Sequence, residues 1–318
     1  MHLRKALLPL ATAAALGASA APAQAASITV GLGDQNIAMF DNPSFQALKL
    51  KRVRYFIPWN AMRNNAQRTV AENYVARAKA AKAKVFMHIS TDSFRPKRAK
   101  LPSVAEYRRE VGRLVKHFRS RGVTEWGVWN EANHDTQPTW DNPRRAASYF
   151  KVFYRWRSSS TCRRCTIVAL DVLDQPGVER YIRRFNSALG STYRRRATIV
   201  GIHNYSEVNR RYKTRTTSIV RTQRRSNART KFWYTETGGV VSFGRSFKCS
   251  ESRAKSRTKY MFDLARRNRA HITRLYAYQW TGTDCRTRFD AGLTRADGSV
   301  RPAYAEFRRG LSRTGFKR

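Results

Sequence analysis

Residues 124–134 read TEWGVWNEANH, and the reading of this stretch decides the fold. Thr124 to Asn130 is apolar, aromatic and β-branched, the composition of a strand, and it runs into Asn130-Glu131 followed by polar residues. An amide and a carboxyl therefore stand where a strand gives way to a loop. In a (β/α)8 barrel chemistry is placed at such points, because strand ends converge on one open face while mid-strand side chains pack. A single acid there could equally be a solvated loop residue. Lys231 to Gly239, KFWYTETGG, repeats the pattern: an apolar run closes on Glu236, and two glycines behind it let the chain turn and a ligand come close.

Outward from these two runs the chain alternates. Strand-type segments are Ile28 to Gly33, Arg52 to Pro58, Lys84 to Ser90, Thr124 to Asn130, Thr166 to Asp171, Thr198 to Asn204, Lys231 to Glu236 and Ile272 to Trp280. Basic amphipathic segments with helical periodicity separate them: Val70 to Ala83, Ser103 to Arg121, Asn142 to Ser158, Pro176 to Leu189, Thr214 to Asn227 and Ser252 to Asn268. Pro102-Ser103 and Asn142-Pro143 are helix starts. Eight strands in β/α alternation predict an α/β fold, a (β/α)8 TIM barrel with its helices outside. A doubly wound sheet would show a glycine-rich phosphate turn after its first strand. Gly31-Leu32-Gly33 is followed instead by Asp34-Gln35-Asn36, with no third glycine.

The first 25 residues read as a secretory signal: Arg4 and Lys5, an apolar stretch from Ala6 to about Leu16, and a small-x-small site at Ala23-Gln24-Ala25. No other apolar run nears the roughly 18 residues of a membrane span. Residues 26–318 carry no linker, repeat or low-complexity tract, so one exported domain, a monomer, is the expectation. Four cysteines suit an oxidising compartment. Cys162 and Cys165 form a C-x2-C, but Cys249 and Cys285 do not complete a zinc set, and a mid-chain position does not fit a thioredoxin-like motif. No metal or cofactor is expected. Cys249 and Cys285 fall in loops after the seventh and eighth strands, neighbours on one face of a barrel, which predicts a disulfide between them. Cys162 and Cys165 would pair locally or stay reduced.

The formal net charge is +42, or +40 without Arg4 and Lys5. Such a field attracts polyanions. The basic residues are nonetheless spread over every helical segment and form no arm or single stripe, so incidental polyanion affinity is expected in place of dedicated nucleic-acid binding.

The strand ends carry Arg54 and Trp59 (second), His88 (third), Asn130 and Glu131 (fourth), His203 and Tyr205 (sixth), Glu236 (seventh) and Trp280 (eighth). These residue types suit cutting a sugar. Two carboxyls protonate a leaving oxygen and attack the anomeric carbon or activate water, an aromatic ring stacks on a pyranose, and neutral or cationic donors hold hydroxyls. A silent polysaccharide-binding barrel and a polyanion-binding surface protein are the other classes open to such a chain.

The set Arg54, His88, Asn130-Glu131, His203-x-Tyr205, Glu236 and Trp280 resembles, in type, order and strand position, the active sites of clan A glycoside hydrolases, most closely family five. Family thirty-nine shares the same two glutamates. The resemblance spans nearly all of the mature chain, including the closing turn and last helix, Gly292-Leu293 through Asp297-Gly298 to Arg301-Pro302-Ala303-Tyr304. It implies a secreted retaining hydrolase of a β-linked polysaccharide or oligosaccharide. Glu131 would be the general acid/base, Glu236 the nucleophile steadied by Arg54 and Tyr205, and Asn130 a partner of the sugar 2-hydroxyl. His203 would stand beside the acid/base, and Trp280 and His88 would line the subsite before the cut. The loops carrying Phe94-Arg95-Pro96-Lys97 and Asp171 to Asp174 depart from the family pattern.

Overall fold

The computed structural model describes residues 27–318, so the expected signal segment lies outside the described residues. Eight parallel strands carry the fold: β1 Ile28–Gly33, β2 Arg52–Pro58, β3 Lys84–Ser90, β4 Glu125–Gly127, β5 in two pieces (Thr166–Val168 and Leu170–Leu173), β6 Ile199–His203, β7 Lys231–Thr237 and β8 Ile272–Tyr278. Their pairing runs in chain order from β1 to β5 on one side and through β8, β7 and β6 on the other. The first piece of β5 pairs with β4 and the second with β6, so β5 closes the ring into a (β/α)8 barrel.

The nine α-helices among the described residues are α1 Pro43–Ala47, α2 Asn65–Ala80, α3 Val104–Ser120, α4 Pro143–Trp156, α5 Val178–Arg196, α6 Tyr205–Arg210, α7 Arg215–Ser226, α8 Glu251–Arg267 and α9 Pro302–Leu311. α3 starts at a reciprocal cap in which the Ser103 side chain accepts from the Glu106 N–H and the Glu106 carboxylate accepts from the Ser103 N–H. Asn142 caps α4 by accepting from the Arg145 N–H, a contact of a kind worth about 1 kcal/mol. α2 begins five residues before the expected Val70, because Asn64 accepts from the Gln67 N–H and sets the first turn there.

The buried residues form two layers. A large apolar shell lies between barrel and helices, while Phe86, Val168, Trp233 and Tyr276 form a separate cluster. Below that cluster, Arg52 and Arg274 from β2 and β8 both pair with Glu125 of β4, the Arg52 contact measuring 2.7 Å. Charge at this end ties three strands together. At the other end the strands deliver the polar residues described next.

Several strand boundaries differ from expectation, and two of the differences bear on the site. Regular β4 stops at Gly127, but its ladder continues through Val128 N–H to Val168 O (3.1 Å) and Asn130 N–H to Ile89 O (2.7 Å), so Asn130 is still held at the barrel mouth. β8 ends at Tyr278, two residues before Trp280. Both disulfides are formed, Cys249–Cys285 (Cα–Cα 5.9 Å) and Cys162–Cys165 (5.4 Å), so the pair left open by the sequence is bridged locally. No helix among the described residues is long and apolar enough to cross a membrane.

Candidate active site

A cleft of about 470 Å³ opens at the C-terminal ends of the strands, with Asn130, Glu131, Tyr205 and Glu236 in its lining. Carboxylate oxygens of Glu131 and Glu236 lie within 4.8 Å of one another. Glu236 leaves β7 with both oxygens engaged: Arg54 Nη1 donates to Oε1 at 2.5 Å and the Tyr205 hydroxyl to Oε2 at 3.1 Å. Arg54 Nη2 donates to Asn130 Oδ1 at 2.6 Å and lies 3.1 Å from His88 Nδ1. With its oxygen taken, Asn130 retains its amide N–H groups as donors at the cleft.

Glu131 stands in left-handed backbone (φ +44°), a conformation that costs a non-glycine residue about 1 kcal/mol or more. Its own N–H donates to Asp171 Oδ2 at 3.1 Å, and Ala132 N–H to Asp171 O at 2.9 Å, so β5 holds the turn in place. His203 lies between the acids: Nδ1 is 3.0 Å from Glu131 Oε1 and 3.5 Å from Glu236 Oε2, and Nε2 is 2.9 Å from Asp171 Oδ2. Burial lowers the His203 pKa, but Asp171, Glu236 and Glu131 outweigh it and push it up to about 10. Burial raises the Glu131 carboxyl, but the hydrogen bond and charge of His203, with His134 behind them, bring it below the ordinary glutamate value. The proton of this pair therefore rests on the imidazole.

Asp171 is the residue that sequence reasoning passed over. It is fully buried, and burial alone would raise its pKa. The charge and hydrogen bond of His203 and the charge of Arg54 hold it well below the ordinary range instead. Two glycines make room for this layer. A Cβ on Gly201 would sit 1.9 Å from Asp171 Oδ1, and one on Gly127 2.1 Å from His88 Cδ2. Asp174, three residues on, accepts from the N–H groups of Ser206 (2.9 Å) and Glu207 (2.6 Å) and so fixes the segment that carries Tyr205. The acids that departed from the family pattern thus position the site from beneath.

Three expectations need correction. His88 does not line the cleft; it is fully buried behind Arg54 and Gly127, and desolvation lowers its pKa to about 3, keeping the ring neutral. Trp280 is 2% exposed and packs edge-on against Phe45 and Tyr304, because it falls past the end of β8, where Thr281 N–H is caught by Asp34 Oδ2 at 2.6 Å. The aromatic residue of β8 that faces the cleft is Tyr278. Trp59 is likewise in the core, with its backbone N–H paired to Ser90 O at 2.9 Å as β2 runs on. Alternation along the strand would have marked Tyr278, two residues after inward-facing Tyr276.

The rest of the cleft wall is aromatic. Phe56 and Phe94 meet edge-on on one part of the rim, while Phe243 and Phe289, from a short antiparallel pair at Ser242–Phe243 and Phe289–Asp290, form another. The Cys249–Cys285 bridge joins the loops that carry this pair. Glu131, His203 and Glu236 also offer three atoms close enough to hold a cation. With its pKa raised, the His203 imidazolium itself supplies positive charge between the two carboxylates.

No protein-family model and no curated protein sequence matches the chain. Solved structures do. A subfamily 18 member of glycoside hydrolase family 5 from Streptomyces cattleya, in complex with GlcNAc, superposes with a TM-score of 0.64 at 15% identity over 92% of this chain and 83% of that one. One of two fungal β-1,4-galactanases gives 0.68 at 12% identity over 89% of this chain and 100% of that one. The barrel is shared with clan A glycoside hydrolases. A family 39 glycoside hydrolase from the gut symbiont Bacteroides cellulosilyticus WH2 extends the likeness, with a TM-score of 0.63 at 15% identity over 89% of this chain and 63% of that one.

Proposed function

We propose that the protein is an exported glycoside hydrolase that cleaves a β-linked glycan with retention of anomeric configuration, Glu236 acting as nucleophile and Glu131 as general acid/base. The observation that carries the reading is the approach of the two carboxylates within 4.8 Å from strands on opposite sides of one cleft. Retaining enzymes hold their carboxyls about 5–5.5 Å apart, whereas an inverting pair leaves about 6.5–9.5 Å for water.

The surrounding groups fit those roles. Arg54 and Tyr205 keep Glu236 aimed and engaged through both oxygens. Attack by one Glu236 oxygen forms a bond to the anomeric carbon as the glycosidic C–O bond breaks. The leaving oxygen takes the proton of Glu131, which His203 supplies through its 3.0 Å contact. Glu131, now a carboxylate, then takes a proton from water as the water oxygen attacks the same carbon and releases Glu236. Asn130 donates to a hydroxyl of the bound sugar, and Tyr278 and Tyr205 supply aromatic surface. Two disulfides and the segment from Arg4 to Ala25 support export to an oxidising compartment.

The test is cleavage of a panel of β-glycans by the mature protein, with the product anomer followed by NMR. The expected result is retention, with Glu236→Ala losing turnover by a factor on the order of 10⁶, the scale of losing a covalent nucleophile. Azide should partly restore the variant and yield a glycosyl azide of inverted configuration. Wild-type turnover by Glu236→Ala would end this reading, and glycan binding without cleavage would leave a silent binding barrel.

A further inference from the structure

Between α6 and α8, beside the cleft, stand four guanidinium groups that the proposed chemistry does not use, one of them in the cleft lining. Arg210 closes α6 and lines the cleft, and Arg211 follows it in left-handed backbone (φ +56°). Arg253 and Arg257 stand one turn apart on α8. Phe247, also in the cleft lining, lies beside two of them: Arg210 Cζ is 4.9 Å from its ring centroid and Arg253 Cζ 5.2 Å. Arg211 reaches to the same helix, with Nη2 3.5 Å from Ser256 Oγ.

None of these four cations meets a carboxylate among the described residues, whereas acids elsewhere gather several arginines. On α3, Glu110 alone gathers Arg63, Arg109 and Arg113, and Arg301 is met by Glu251, Asp284 and Asp290. At the rim no carboxylate pairs with Arg210, Arg211, Arg253 or Arg257 among the described residues. Glu251, the acid nearest in sequence to Arg253, is taken by Arg295 at 2.7 Å and Arg301 at 3.2 Å. The Nε atoms of Arg253 and Arg257 are buried without a hydrogen-bond partner. Burial, then the charges of Arg211 and Arg253, hold the Arg257 pKa below its ordinary value, so the groups are close enough to repel. An anion at the cleft edge relieves that repulsion.

We propose that this rim binds the carboxylate of a uronate residue, so that the substrate of the cleft is an acidic glycan. Phe247 offers the apolar face of the sugar a surface, and the planar fork of Arg210, which lines the cleft, suits a carboxylate bidentately, with Arg253 held behind it by Nη2 bonds to Val241 O at 2.7 Å and Lys248 O at 2.5 Å. The acids in the cleft lining are Glu131 and Glu236, the reacting pair, which leaves the rim free of competing negative charge. The assignment rests on the glycosidase reading for the orientation of the sugar chain.

The test separates the two ideas by measuring binding and cleavage apart. Oligosaccharides of β-1,4-glucuronan, β-1,4-mannuronan and hyaluronan, each beside its carboxyl-reduced form, are titrated calorimetrically into Glu236→Gln protein. At least one acid form is expected to bind about tenfold or more tightly than its reduced form, and Arg210→Gln should abolish that preference. Arg108→Gln with Lys116→Gln, on the outer face of α3, should leave the preference within about twofold, since exposed charges that far away are screened. Loss of the preference in the α3 control to the same extent, or no preference for any acid form, overturns the rim assignment. Selective binding of an acid glycan that the wild-type protein does not cleave upholds the rim and ends the glycosidase reading instead.

Discussion

Replacing His203 by Gln asks whether an imidazolium holds the floor of the cleft together. The ring is fully buried among three carboxylates, those of Asp171 at 2.9 Å, Glu131 at 3.0 Å and Glu236 at 3.5 Å. Its pKa stands at about 10 in the fold, against about 6.5 for a free imidazole. Because the folded value is the higher one, the stabilisation is complete below about pH 6.5 and is lost as pH rises through about 10. At about 1.36 kcal/mol per pKa unit that rise has a ceiling of about 5 kcal/mol, and relaxation of a buried cluster brings the expected effect to roughly 2–5 kcal/mol. Urea unfolding of wild type and His203→Gln at about pH 6, 8 and 10 reads it directly. The stability difference should be largest near pH 6 and shrink steadily towards pH 10. Taking the difference cancels groups common to both proteins, such as Asp34, whose burial lifts its pKa to about 6. A stability difference that does not change with pH would mean that a neutral ring suffices, and the proton-sharing between His203 and Glu131 would fall with it.

Opening the rim bridge with Cys249→Ser and Cys285→Ser releases a loop of 36 residues, for which loop-closure entropy gives about 2–4 kcal/mol. Thermal unfolding should shift down by several degrees and KM should rise, because Phe243 and Phe289 lose their tether; unchanged values in both would refute the role. Trp280→Ala should cost about 3–5 kcal/mol in urea unfolding while the KM of the folded fraction stays put. Tyr278→Ala should do the reverse, raising KM with little loss of stability, and the opposite pattern would restore Trp280 to the sugar subsite.

Much of this could be read from residue order alone. Strand runs of Val, Ile, Phe and Trp between 3.6-period basic segments define eight β/α units, and the barrel follows because a parallel sheet must bury both faces. Glu131 and Glu236 were legible as candidates because each stands where such a run ends. What was not legible depends on contacts across the ring. Asp171 looks like an ordinary loop acid in sequence, and it becomes part of the site only because Gly201 and Gly127 leave room for it and for His88 under the cleft. Trp280 and Tyr278 are both aromatic and two residues apart, so the strand end, set by the catch of Thr281 on Asp34 far away in sequence, decides which one meets the cleft.

The same division holds for charge. Composition determined that the surface is basic, and its even spread along the chain gave no reason to single out any arginine. Folding sorts them: Glu110 and Glu125 neutralise arginines brought from distant segments, while Arg210, Arg211, Arg253 and Arg257 converge where no acid arrives. Periodicity along the chain specifies which faces are buried, a local property that sequence carries openly. Which proton rests on His203, and which cations stay unpaired, are set by distances of about 3–5 Å between residues tens to hundreds of positions apart, and only the closed barrel creates them.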